Sequence, residues 1–87
     1  MQVWQHMVVE AIQQELEKEN PISEFGVQQI NSEELSHDMT WGECLKEAEG
    51  AGWEVVSVSV YLDRSGWLNL YAVLKRPIKG AGHSEEI

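Results

Sequence analysis

Basic residues are scarce: six Lys and Arg stand against fifteen Asp and Glu, and the 87-residue chain carries a formal net charge of −9. Such a surface repels phosphate backbones, which proteins neutralise with lysine and arginine, so nucleic acid is not expected as a partner. There is a single cysteine, Cys44; no intrachain disulfide framework exists, and a reducing compartment is the simplest setting. No stretch approaches the ~18 apolar residues a membrane helix needs. Met1 to Val9 has no basic leader region and is interrupted by Gln2, Gln5 and His6, unlike a secretory signal. The expectation is therefore a soluble, cytoplasmic protein with no membrane partner.

Sites for chemistry are equally sparse. Gly50-Ala51-Gly52 reads as the end of a helix, whereas a phosphate-cradling loop begins one. The best metal-like cluster is Glu33, Glu34, His37 and Asp38, without a second histidine or a thiolate, and a solvated polar turn accounts for it. His6 falls among apolar residues of a strand-like run and His83 lies in the tail. Cys44 falls on an apolar helix stripe in acidic surroundings, which disfavours a thiolate. Ser57 and Ser59 have no sequence-local base. No catalytic residue, metal or cofactor is expected.

What the chain does have is Trp53 to Pro77, W-E-V-V-S-V-S-V-Y-L-D-R-S-G-W-L-N-L-Y-A-V-L-K-R-P, two long apolar runs around Asp63-Arg64-Ser65-Gly66. Asp63 can accept backbone protons and Gly66 can take positive φ, so the stretch predicts a β-hairpin over 53–62 and 67–76. Pairing Leu62 with Trp67 sets Glu54 opposite Lys75, Val56 opposite Val73, Val58 opposite Tyr71 and Val60 opposite Asn69 on one face. The other face pairs Trp53 with Arg76, Val55 with Leu74, Ser57 with Ala72, Ser59 with Leu70 and Tyr61 with Leu68. This register puts a charge pair and a Trp-Arg stack at the open end. A one-residue slip regroups the faces and still leaves both apolar.

Thr40-Trp41-Gly42-Glu43 is a capping box that opens a helix over about 41–51, with Trp41, Cys44, Leu45, Ala48 and Ala51 on one stripe and Gly50 or Gly52 as its stop. At the N-terminus, Val3 to Val9 is rich in β-formers and predicts a strand over about 2–9, then a helix or fraying extension to Glu19; one amphipathic helix over the whole stretch is the competing reading. Residues 20–40 are the least legible. Phe25, Val27 and Gln29 allow a short strand, Asn31 and Glu34 could cap a helical turn over 32–37, and an ordered loop fits equally. The tail from Ile78 to Ile87 has no pattern that would bury it and is expected to be flexible. The chain thus reads as a single α+β domain over 1–78: a small antiparallel sheet, built of the N-terminal strand and the hairpin, with the helix packed on one face.

Four pieces in order, W-Q-H-M-V-V-E at Trp4 to Glu10, the helix ending at Leu45 to Gly52, G-W-E-V-V-S-V at Gly52 to Val58 and V-L-K-R-P at Val73 to Pro77, resemble the small bacterial and phage family catalogued as domain of unknown function 4177. The resemblance covers residues 3–10 and 41–78. The chain departs from the family's pattern at His6, where an aromatic residue is usual, at Glu49, where glycine is usual, and in the insertion over 11–39. The resemblance implies a three-stranded antiparallel sheet with one helix laid across it, and it implies no activity or site residue.

Four tryptophans and two tyrosines are a heavy aromatic load for this length. One helix covers one sheet face, so the other needs the N-terminal segment and insertion, a second copy of the chain, or a ligand. Each large apolar side chain left exposed forfeits about 1.5–3 kcal/mol, which a domain this small can ill spare. The functional expectation is a non-enzymatic binding domain that forms a homo-oligomer through a sheet face or edge, with Tyr61, Trp67, Asn69, Tyr71, Trp53 and Arg76 as interface or ligand candidates. The alternative is a small-molecule pocket, with or without enzymatic activity, lined by Tyr61, Trp67, Asn69 and Tyr71 and closed by the 22–39 insertion or a second subunit.

Overall fold

A computed structural model describes residues 3–15 and 21–78. Strand β1 runs over Trp4–Ile12, a short 3₁₀ turn over Ile22–Glu24, β2 over Gly26–Ile30 and β3 over Glu33–Glu34. Helix α1 spans Trp41–Gly50, followed by β4, Glu54–Leu62, and β5, Leu68–Pro77. The strands form one antiparallel sheet in the order β3-β2-β1-β5-β4. The fold is α+β, as the sequence predicts, with five strands where the expectation had three.

Strand β1 continues three residues past Val9, so the helix expected after it does not begin at Ala11; residues 16–20, the rest of that segment, lie outside the described residues. β-Branched and apolar residues at Val8, Val9 and Ile12 pair with Val73, Ala72 and Asn69 of β5, and this central ladder outweighs the helix preference of Ala11. Gln13 prolongs the contact: its backbone N–H donates to Leu68 O at 3.0 Å, and its buried side-chain carbonyl accepts from the Leu68 N–H.

The insertion is built. Gly26 to Ile30 forms a strand, as the alternation at Phe25, Val27 and Gln29 allows, but 32–37 is not a helical turn: Asn31 and Ser32 take φ of 53° and 67° and turn β2 into β3. Positive φ at both central positions is the two-residue hairpin geometry that matches strand twist. The Asn31 side-chain oxygen accepts from Val8 N–H at 2.9 Å, tying the turn to β1. Ser32 has no such tie among the described hydrogen bonds and an L side chain is strained there. Ser32→Gly is expected to raise stability by up to about 1 kcal/mol, read as a higher thermal midpoint.

The helix begins as its sequence dictates. Glu43 N–H donates to Thr40 Oγ1 at 3.2 Å and Thr40 N–H donates to the Glu43 carboxylate at 3.0 Å. These bonds hold the Glu43 carboxyl below the usual carboxylate range. Of the two glycines that could stop the helix, Gly52 takes the left-handed conformation, φ 89°, while Trp53 N–H donates back to Ala48 O at 3.0 Å. Trp41, Cys44 and Ala48 of α1 are buried with Val9, Ala11, Phe25, Val27, Leu70, Ala72 and Leu74 in one core on one face of the sheet. Ala51, expected on the buried stripe, is exposed as the helix cap.

The hairpin departs from the expected register in an informative way. Asp63 N–H donates to Trp67 O at 2.9 Å and Gly66, φ 87°, closes a three-residue loop, so Leu62 pairs with Leu68, one residue on from the expected Trp67. The slip persists through Ser57 opposite Val73, and a bulge at Val56 then absorbs it, which returns Val55 to Leu74 and Glu54 to Lys75 as expected. Consequently Val55, Val58, Val60 and Leu62 share the helix side with Leu68, Leu70, Ala72 and Leu74. Ser57, Ser59 and Tyr61 share the other side with Val73, Tyr71 and Asn69. The second face is therefore mixed polar and aromatic; the prediction that both faces are apolar after a slip is corrected, because the slip sets Ser57, Ser59 and Tyr61 beside Val73, Tyr71 and Asn69 in place of Ala72, Leu70 and Leu68.

Candidate functional site

The sequence-derived candidates separate into two places. Trp53 and Arg76 lie on the helix side at the far end of the sheet, beside the C-terminus of α1. The Arg76 guanidinium sits 4.5 Å from the Trp53 ring centroid, donates through Nε to Gln5 at 3.0 Å and through a terminal nitrogen to Ala51 O at 3.1 Å. One cation thus joins β1, β5, the helix cap and the strand leaving it. Its terminal nitrogen faces the Ala51 carbonyl at the helix C-terminus, the end that attracts positive charge. A shallow cleft of about 630 Å³ opens there, lined by Gln5, Gly50, Gly52, Arg76, Pro77 and Ile78. Arg76→Ala is expected to cost about 1–2 kcal/mol, with Arg76→Lys recovering little because an ammonium cannot reproduce the fork. Urea unfolding followed by tryptophan fluorescence measures both.

At the same end, Lys75 lies 3.8 Å from the Glu54 carboxylate and 4.2 Å from the Trp4 ring centroid. Both are surface interactions of modest energy whose value is in fixing the open end of the hairpin.

Tyr61, Asn69 and Tyr71 lie on the opposite, helix-free side, with Trp67 just ahead of β5. Asn69 is not a free ligand group: its amide donates to the Asp63 carboxylate at 2.8 Å and to Trp67 O at 3.1 Å. Asp63 also accepts from Ser65 N–H at 2.9 Å and Trp67 N–H at 3.0 Å, and the Asn69 bond above all holds its carboxyl below the usual range. Asn69 and Asp63 together lock the hairpin loop. Tyr61 and Tyr71 are 49% and 41% exposed. The 22–39 segment does not close over them: β2 and β3 occupy the other edge of the sheet, separated from Tyr61 by β1 and β5 and from Asn69 and Tyr71 by β1, and Phe25 and Val27 turn into the helix-side core.

The remaining candidate chemistry disperses. Among the described residues, no group of His, Cys, Asp and Glu is placed to hold a metal ion, so Glu33, Glu34, His37 and Asp38 do not converge. Glu34, His37 and Asp38 instead line a shallow cleft of about 350 Å³ with Val27, Gln28 and Gln29. Cys44 is buried, and desolvation, aided by the Glu47 charge, pushes its thiol pKa up. Thiol-reactive reagents at pH 7–8 are expected to leave Cys44 unmodified in the folded protein and to modify it at the ordinary rate in denaturant.

The feature that composition and spacing did not reveal is β4 itself. All nine of its residues are exposed, although six of them, Val55, Val56, Val58, Val60, Tyr61 and Leu62, are large apolar side chains. Leu62 and Val56 reach 65% and 53%. The core under α1 takes residues from β1, β2 and β5 and none from β4. Among the described residues no strand pairs with its outer edge, so every second N–H and C=O along it faces away from the sheet. The signal was in the sequence as the surplus of apolar hairpin residues over what one helix can cover; which strand would be left bare depended on the sheet order.

Comparison with protein-family models, with curated proteins and with solved structures finds no match to this chain. No described helix is long and apolar enough to cross a membrane.

Proposed function

We propose that the protein is a non-enzymatic interaction domain whose working surface is the outer edge of β4, and that it acts as a homo-oligomer. The observation that carries this reading is a nine-residue edge strand with all residues exposed and six of them large and apolar. Sheet edges that must stay free are protected by lysine, proline, inward charge or a bulge. Ser57 to Leu62 contains none of these; the bulge lies before it at Val56, and the one charged residue of β4, Glu54, stands at its first position and pairs with Lys75. The acidic character of the chain does not oppose self-association there, because twelve of its fifteen acids precede Val55 and only Glu54 among them belongs to β4.

Membership of the 4177 family is part of the same proposal. The three-stranded sheet and single helix it implies correspond to β1, β5, β4 and α1, with β2 and β3 as the addition. A cytoplasmic location likewise belongs to the proposal.

The test is the mass of the protein by light scattering after size exclusion over a range of loading concentrations. A species of twice the chain mass or more, converting to the monomer on dilution, is the expected result. A strict monomer at the highest concentration would reject the reading.

A further inference from the structure

We infer that two copies pair through β4 antiparallel about a two-fold axis that passes over Ser59, giving one continuous ten-stranded sheet; this rests on self-association through β4. Three constraints select that register. In a continuous sheet, residues directly opposite each other must point to the same side, so a two-fold axis has to pass over a residue rather than between two. The bulge at Val56 breaks the regular alternation, which leaves Ser57–Leu62 as the part of β4 that can pair regularly. An axis over Val58 would run the partner's Val60 onto the bulge. Axes over Ser59 and over Val60 each keep five residues within regular strand, the first meeting the partner's bulge only at Leu62 and the second meeting the partner's loop only at Ser57; of the two, only the axis over Ser59 sets Glu54 beside the partner's Arg64.

The chemistry of the two sides agrees with this register. On the helix side Val58 meets the partner's Val60, and Val60 meets the partner's Val58, so side chains 43% and 41% exposed become mutually covered. On the open side Ser59 meets the partner's Ser59, and Tyr61 meets the partner's Ser57. Tyr71, which pairs with Ser59 within the chain, flanks this row. Valine therefore faces valine, and hydroxyls face hydroxyls. The start of β4 comes to lie along the partner's hairpin loop, which brings Glu54 near the partner's Arg64. Arg64 is exposed and makes no ion pair or hydrogen bond among the described interactions, so it is available to a carboxylate from outside its own chain. An axis perpendicular to the sheet keeps both copies of α1 on one side and both tyrosine rows on the other.

The experiment is disulfide trapping in a thiol redox buffer with Ser59→Cys, Ser57→Cys and the parent chain, which still contains buried Cys44. Ser59→Cys places two thiols directly opposite across the axis, within the Cα separation a disulfide requires, whereas position 57 is offset from its own copy by four residues. Ser59→Cys is expected to form a covalent dimer roughly ten-fold or more faster than Ser57→Cys, with none from the parent chain. A second arm uses charge: Arg64→Glu should weaken the dimer, and the double variant Glu54→Arg, Arg64→Glu should restore it. Light scattering on reduced Ser59→Cys separates the outcomes. A reduced dimer that fails to cross-link, or that cross-links no faster than Ser57→Cys, overturns the Ser59 register alone; a reduced monomer overturns association through β4 as well.

Discussion

Phe25→Ala is expected to lower the unfolding free energy by about 3–5 kcal/mol, the range for truncating a large buried aromatic. Phe25 is 1% exposed, and its backbone works as hard as its ring. Its N–H donates to Ile22 O at 3.0 Å, closing the 3₁₀ turn, and its carbonyl accepts from Trp41 N–H at 2.7 Å, fixing the first residue of α1 against the start of β2. The ring packs where the insertion, the helix and the central strands meet, so no neighbour can collapse into the space without moving one of three elements. Domains of this size have total stabilities near the lower end of about 5–15 kcal/mol, so the variant should be close to its midpoint without denaturant. Urea unfolding at fixed protein concentration reads this, the concentration being held because a self-associating protein is stabilised by mass action. A loss below about 1 kcal/mol would mean the insertion is not integral to the core.

The second large effect is on assembly and leaves the fold almost alone. Val58→Lys with Val60→Lys introduces the residue that natural edge strands use to stay unpaired, at two positions the chain itself leaves exposed. Around a two-fold axis this sets four ammonium groups together where four valines stood. The dimer's dissociation constant is expected to rise on the order of 100-fold, equivalent to about 2.7 kcal/mol of weakened association. The monomer's own stability should change by no more than about 1 kcal/mol, because neither valine joins the core. Sedimentation velocity measures the first and urea unfolding the second. Unchanged association would place the contact elsewhere on the molecule.

Much of the architecture was legible because it is locally encoded. The capping box at Thr40 and Glu43, the left-handed glycines at positions 52 and 66, and the Glu54–Lys75 and Trp53–Arg76 pairs each depend on residues close in sequence or on one hairpin. The misses arise where long-range pairing decides. Strand β1 runs through Ala11 because β5 and β2 both pair with it, a fact no window around Ala11 contains. Asn31 and Glu34 resemble a helix cap locally, yet Asn31 and Ser32 take positive φ, with Val8 supplying the partners of Asn31.

The candidate site shows the same division. The excess of apolar hairpin residues was evident, but its location was not. Gly66 shortens the loop by one residue, which sets Val58 and Val60 on the side of Leu70 and Ala72 and the serines on the side of Tyr71 and Val73, and the bulge at Val56 brings Val55 to the helix side as well. Neither irregularity has a residue type that announces it, since the Asp63-Arg64-Ser65-Gly66 run suits loops of three or four residues equally. Sheet order then leaves β4 outside the reach of α1. In the proposed function, that bare strand is the surface a second copy pairs with.

Amide hydrogen exchange along β4, followed as the protein is diluted, tests this most directly. The alternate amides of Ser57 to Leu62 that point away from β5 should be protected at high concentration and should lose protection together on dilution, while those bonded to β5 keep theirs. Outward amides that exchange as freely at high concentration as at low would show that nothing pairs with this edge.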